Sequence, residues 1–162
     1  MAQIVIALGS NLDNPHHQLK TAKVFLENLS ESPVLKSDIY ESEPIGPSEF
    51  DFLNAVLLIE SILTPSKLLN ELKAQESKQG RPSRYPKWTA RPLDMDIITF
   101  GNTIVKTDEL TIPHSQYSQR LFVLLPLQDV LPNWVDPITK TSIQKLIESA
   151  PSMSITKSNL VW

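Results

Sequence analysis

The chain has 162 residues, of which 41% are hydrophobic and 20% charged, with a formal net charge of −3 and no cysteine. That length and composition predict one globular domain, 1–162, with enough apolar residues for a real core. The acidic balance argues against a general nucleic-acid binder, and the lack of thiols excludes a disulfide scaffold, a thiolate metal site and a cysteine nucleophile.

The first apolar run, 4–8, reads as a central strand ending in the turn Gly9-Ser10-Asn11. It is too short and lacks the basic flank of a signal peptide, and no run is long enough to span a bilayer, so a cytoplasmic protein with no membrane partner is expected. Asp13 or Asn14 can cap the next helix, with Pro15 in its first turn and Leu19, Ala22, Leu26 and Leu29 along one face. Residues 34–41 form a second strand. The proline-rich stretch 42–51 is a loop, and 52–61 is the strongest strand signal. Thr64 and Pro65 open a second helix with Leu68, Leu69 and Leu72 inward, and Gly80 ends it. A polar, proline-rich loop, 81–92, leads into a strand at 93–100, which turns at Gly101-Asn102 into a hairpin with 103–105. Residues 121–130 are apolar but contain Pro126, so they form a short helix or a strand with a break. Residues 142–149 read as a last helix, and the tail has no clear pattern. The order β-α-β, loop, β-α-loop-β predicts an α+β fold with a ferredoxin-like split βαβ core, its helices on one face of a mainly antiparallel sheet. Loops of this length in a compact domain are usually lids or binding loops.

The chemistry concentrates around "RPLDMDIITFG" at 91–101. Asp94 and Asp96 lie two apart in an otherwise apolar strand, so they share a face, together with Ile98 and Phe100. They can be solvated at a strand end, paired with arginine, or bound to hard cations such as Mg²⁺, which takes carboxylates and substrate phosphates as ligands. Only four arginines occur, Arg81, Arg84, Arg91 and Arg120, and three of them fall in the eleven residues before the aspartates. Guanidinium groups suit phosphate oxygens, so a phosphate ligand beside a cation site is the sharper reading, against a chance cluster on a solvated loop. Two adjacent like charges also favour a bound cation.

A second, flat and neutral ligand is suggested by Asn54, an amide in an apolar strand, with Phe52 on its face and Phe122 two residues after Arg120. Each aromatic, taken alone, is more often core than ligand platform. His114 can meet a phosphate or be an ordinary surface histidine, and His16 and His17 look solvent-facing. Glu76 continues the inner stripe of Leu69 and Leu72 and either points to the site or flanks the helix end. There is no Walker-type loop or Gly-x-Gly-x-x-Gly, so a nucleotide would need arginines, metals and loop backbone.

Taken in order, "ALGSNL", "PIGPSEFDFLNAV", "QGR", "RPLDMDIITFG", "IPH" and "RLFVLLPL" make the chain similar, over essentially its whole length, to the 6-hydroxymethyl-7,8-dihydropterin pyrophosphokinases. That resemblance implies a ferredoxin-like α+β core and transfer of pyrophosphate from ATP to the hydroxymethyl group of 6-hydroxymethyl-7,8-dihydropterin, releasing AMP, in folate biosynthesis. It implies that Asp94 and Asp96 bind two Mg²⁺ and that Arg81 and Arg91 are phosphate-contacting catalytic arginines of a flexible loop. Phe52 and Phe122 would sandwich the pterin, Asn54 would read its edge, and Ser42 and Ile45 would complete that pocket. Glu76, Ile97, Thr111, His114 and Arg120 would lie on the ATP side. The expected partners are the two small-molecule substrates, and the expected state is a monomer. Glu43, Ser83, Ser115 and Leu121 depart from residues common in such proteins, and Phe52 replaces a common tyrosine. A metal-dependent transferase with another acceptor, and a binding domain without catalysis, are the rival readings.

Overall fold

The computed structural model describes residues 1–44, 50–80 and 92–162. The first apolar run forms β1 (Ala2–Ser10), in which Ile4, Val5, Ile6 and Leu8 are all buried. Burial of successive residues means that both faces are covered, which explains the absence of alternation in the sequence. Asn14, in the left-handed region at φ 61°, caps α1 (Pro15–Leu29) by accepting the His17 N–H on its side chain. Leu19, Ala22 and Leu26 form the buried stripe of this helix.

The strand expected at 34–41 is two short pieces, β2 (Leu35–Lys36) and β3 (Tyr40–Ser42). Ser37 causes the break: its hydroxyl accepts the Val56 N–H at 2.9 Å, in place of a ladder carbonyl, while donating to the Asp38 carbonyl at 2.7 Å. Both pieces pair with β4 (Phe52–Ser61), whose bounds are those expected. Thr64 caps α2 (Pro65–Lys78) through the Lys67 N–H, and the chain leaves that helix through Gly80 at φ 104°. Leu68 and Leu72 are buried, whereas Leu69 is half-buried.

After β5 (Asp94–Phe100), the expected hairpin at 101–105 does not form. Instead β6 (Val105–Lys106) pairs forward with β7 (Thr111–Ile112). Thr107 decides this, because its N–H and hydroxyl both donate to the Leu110 carbonyl and its oxygen accepts the Leu110 N–H at 3.1 Å. A 3-10 turn, Tyr117–Gln119, precedes α3 (Leu121–Val130), which is helical despite Pro126. The proline removes one ladder bond, but Val123, Leu124, Pro126, Leu127 and Val130 are all buried, and that packing outweighs the loss. Ser142 caps α4 (Ile143–Ser149). The tail then adds β8 (Ile155–Lys157) to the edge of β3. His16, expected to face solvent, holds this tail by donating from Nε2 to the Val161 carbonyl at 2.7 Å.

The main sheet runs β5-β1-β4-β3-β8, with antiparallel pairing throughout. β1 and β3 therefore run the same way on either side of β4, as do β4 and β5 on either side of β1. This is the ferredoxin-like arrangement of two interlocked split βαβ units. The helices, however, cover both faces. Ile4, Ile6 and Leu8 pack with α1 and α2, while Val5, Val56, Leu58 and Ile98 pack with α3 and α4. The expectation of helices on one face fails because β1 and β4 are apolar on both sides and α3, apolar over most of its length, covers the second face.

One irregularity places the charged residues. The register of β1 against β5 shifts between Val5 and Ile6, leaving Ile98 as an extra residue between Ile97 and Thr99. Asp94, Asp96 and Ile98 keep the expected face, but Phe100 is carried to the opposite core beside Ile4. Among the described residues no helix is long and apolar enough to cross a membrane.

Candidate active site

The sheet register builds the floor of the site. Gly9 on β1 stands opposite Asn54 on β4 and Asp94 on β5, and Ala7 stands between Val56 and Asp96. A Cβ at Gly9 would lie 3.7 Å from Asn54 Oδ1 and 3.8 Å from the Phe52 ring, so the glycine leaves open the space between the amide and the carboxylates. The cleft over this floor brings together Ser42, Phe52, Asn54, Asp94, Asp96, Arg120 and Phe122 from four separate segments. Ala7, Leu8, Gly9, Glu43 and Val123 also line it and were not singled out as site residues. Gly9 had a visible signal, a residue without a side chain at the end of a buried strand.

Asn54 is only 3% exposed and its orientation is imposed. Its Nδ2 donates to Ser42 Oγ at 2.8 Å and, at longer range, to the carbonyls of Phe52 and Tyr40. With the donors engaged by its neighbours, Oδ1 lies over Gly9 as an acceptor. Glu43, where the family resemblance leads one to expect proline, uses its N–H to donate to the Ser154 carbonyl at 3.1 Å, and its carboxylate accepts the Ser154 N–H at 2.9 Å. A proline could not make the first of these bonds. The Arg120 guanidinium lies 5.7 Å from the centre of the Phe122 ring, which places the cation and the aromatic at one rim.

A second groove runs along the outer edge of β5. Asp96, Ile97, Thr111 and His114 line it, with Leu69, Lys73, Met95, Glu109, Leu110 and Ser115. Asp96 borders both depressions. His114 is pinned by donation of its N–H to the Ile98 carbonyl at 3.0 Å, and its Nδ1 accepts the Gln116 N–H at 3.1 Å. Burial lowers its pKa from 6.5 to about 4, the Arg120 charge adds to this, and Asp94 opposes it in part. The ring is thus a neutral donor or acceptor near pH 7.

The same shift gives a stability prediction. A histidine with a lowered pKa stays uncharged when folded and takes up a proton on unfolding between pH 6.5 and 4. Its contribution is fully present above 6.5 and lost as the pH falls through 4. Denaturant unfolding across that window should show a smaller loss for His114→Gln than for the unaltered protein. Parallel curves would mean that the imidazole is not desolvated.

Glu76 lines neither depression. It is 8% exposed, and its Oε2 accepts the Met95 N–H at 2.7 Å, which fixes the main chain between the two aspartates from behind. Ile45, Arg81 and Arg91 lie outside the described residues, so their expected roles are not placed. Among the described residues no group of three histidine, aspartate or glutamate side chains could hold a metal ion. Asp94 and Asp96, half-buried and open to the cleft, nevertheless fit Mg²⁺, which uses one or two carboxylates and takes its other ligands from water and substrate phosphates.

The solved HPPK-DHPS protein of Plasmodium falciparum with pterin and p-hydrobenzoate superposes on 91% of the chain with a TM-score of 0.73 at 15% identity. At that identity the likeness concerns the fold, and the chain spans 41% of that longer protein. Sequence relatives are nearer. The chain is 43% identical over 139 residues to the 2-amino-4-hydroxy-6-hydroxymethyldihydropteridine pyrophosphokinase of Haemophilus influenzae, covering 85% of this chain and 86% of that one. It is 38% identical over 133 residues to the Pseudomonas aeruginosa protein of the same name, covering 81% and 82%. It is also 38% identical over 130 residues to the folate synthesis bifunctional protein of Arabidopsis thaliana, covering 80% of this chain and 27% of that one. The family model for 7,8-dihydro-6-hydroxymethylpterin-pyrophosphokinase matches residues 5–132, from β1 through the cleft to the end of α3, and the chain belongs to that family.

Proposed function

We propose that the cleft transfers the pyrophosphoryl group of ATP to the hydroxymethyl oxygen of 6-hydroxymethyl-7,8-dihydropterin, and that Asp94 and Asp96 hold two Mg²⁺ for that step. The observation that carries this reading is the register at Gly9, which sets Asn54 and Asp94 on either side of one open floor position. A flat heterocycle lying on that floor would meet the Asn54 acceptor at one edge and direct a substituent at the other toward the carboxylates. Phe52 and Phe122 bound this space and supply stacking, while the amide supplies selectivity. ATP would enter from the β5 groove, against Ile97, Thr111 and His114, with Arg120 reaching the phosphates from the cleft rim and Glu76 bracing β5 behind.

The transfer exchanges one bond for another. The hydroxymethyl oxygen gives up its proton to solvent and bonds to the β-phosphorus, the bond from that phosphorus to the α-phosphate oxygen breaks, and AMP leaves. Such a step needs in-line positioning and charge neutralisation rather than a covalent protein intermediate. When bound, the Mg²⁺ ions would supply neutralisation of phosphate charge and lower the pKa of the attacking hydroxyl. The chain's own residues hold the two substrates on one floor, and Arg81 and Arg91 are assigned to the phosphates, with Ile45 at the pterin pocket. We propose a monomer acting on these two small molecules in the cytoplasm. A coupled assay with Mg·ATP and the hydroxymethyl dihydropterin should release AMP. ADP in its place would mean γ-transfer, and no nucleotide product from folded protein would overturn the assignment.

A further inference from the structure

His114 and Arg120 lie on the segment between β7 and α3, which has no regular structure beyond the turn Tyr117–Gln119, and Phe122 follows in the first turn of α3. A segment without a ladder or a long helix needs other anchors to hold functional side chains in place. At its start, the His114 N–H donates to the Ile98 carbonyl. At its middle stands Tyr117, three residues after His114 and three before Arg120, joined to both through the main chain. The Tyr117 N–H donates to the His114 carbonyl at 3.4 Å, and the Arg120 N–H donates to the Tyr117 carbonyl at 3.1 Å.

The Tyr117 side chain is 4% exposed and lies edge-on to Trp134, with centroids 5.5 Å apart. Its hydroxyl donates to Asp136 Oδ2. Asp136, 5% exposed, is itself immobilised: its other oxygen accepts the N–H groups of Ile138 at 2.6 Å and Thr139 at 3.0 Å. Its backbone closes the same turn with Thr141 and Lys140. Burial pushes the Asp136 carboxyl up, but the Tyr117 hydroxyl and the Thr139 and Ile138 N–H groups outweigh it, so the group stays ionised below the usual range. Around the pair are Val123, Leu124, Leu127 and Ile143. An apolar pair could fill that space without desolvating a carboxylate. What the polar pair adds is direction, because a hydrogen bond to a fixed carboxylate admits one placement of the ring.

We propose that Tyr117 and Asp136 are a positioning pair for the nucleotide side of the site: the buried hydroxyl–carboxylate bond sets the height of the turn that carries His114 to the β5 groove and Arg120 to the cleft rim. This rests on the reading that the segment meets ATP. Tyr117→Phe keeps the ring against Trp134 and removes only the bond. Asp136→Ala removes the acceptor from the other side, and Asp136→Asn keeps an acceptor for the turn and a donor for the tyrosine oxygen.

Binding of a non-hydrolysable ATP analogue with Mg²⁺ should be measured by titration calorimetry, beside thermal melting of each protein. Tyr117→Phe and Asp136→Ala should each raise the dissociation constant about tenfold, and Asp136→Asn should stay within about twofold of the unaltered protein. In the steady state the rise should appear in KM for ATP, with kcat little changed. A folded Tyr117→Phe protein that melts earlier but binds the analogue normally would show a purely structural bond and overturn the proposal. If Tyr117→Phe does not fold, the Asp136→Ala and Asp136→Asn pair decides in the same way. Absence of analogue binding by the unaltered protein would instead defeat the underlying assignment of ATP to this side.

Discussion

Replacing Asp94 or Asp96 by alanine should lower AMP release about a thousandfold or more while leaving the fold intact. Both carboxylates line the cleft, and Asp96 also borders the β5 groove, so each stands where phosphates of one substrate would approach the hydroxyl of the other. Neither lies deep in the core: both are half-buried at the first turns of an edge strand, and the apolar residues of β5 begin with their neighbours. The buried apolar residues Met95, Ile97, Ile98 and Phe100 carry the packing of β5, so each variant should still unfold cooperatively. Two measurements check this, the AMP assay over a range of Mg²⁺ and thermal unfolding without nucleotide. Turnover near that of the unaltered protein in either variant would refute the metal-holding role. A collapse of melting temperature would show that the carboxylates serve the fold.

Asn54→Leu should weaken binding of the dihydropterin about a hundredfold and leave the ATP analogue unaffected. Leucine has nearly the volume of asparagine, so the shape of the floor beside Gly9 changes little. What disappears is the acceptor held over that floor, and Ser42 Oγ loses the Nδ2 donor that fixes it. A buried ligand N–H facing a methyl group loses its water without gaining a partner, and this makes the effect large. Calorimetric titration with each ligand in turn separates the two sites. An equal loss for both ligands would mean that Asn54 supports the whole cleft rather than one edge of it. Unchanged pterin binding would remove it from recognition.

Much of this architecture was legible in the chain because the relevant signals are local. The bounds of β4 follow from a long apolar run interrupted by Asn54, and the starts of α1 and α2 follow from Asn14 and Thr64, each followed by proline. The shared face of Asp94 and Asp96 follows from strand geometry alone, and Asn54 was conspicuous as the amide in an apolar strand. Other features were hidden because they depend on partners remote in sequence. Ser37 interrupts a strand only because Val56 offers it an N–H. β8 has one half-buried residue and two exposed ones, so it carries no periodic signal, and only the free edge of β3 makes it a strand.

The clearest division lies within β5. The sequence by itself determined that two carboxylates would project side by side from one strand beside an arginine-rich loop, since alternation is a property of any extended backbone. It also determined family membership, through short motifs whose order survives wherever the chain folds. Tertiary structure decided that the aspartate face ends at Ile98, because a register shift against β1 inserts one residue and returns Phe100 to the other core. It also decided that Glu76 braces the main chain between the aspartates and that Tyr117 is tied to Asp136. Periodicity reports which way a side chain leaves its own backbone. What that side chain meets depends on segments that only folding brings near, and a bulge or a buried polar pair exists only in that meeting.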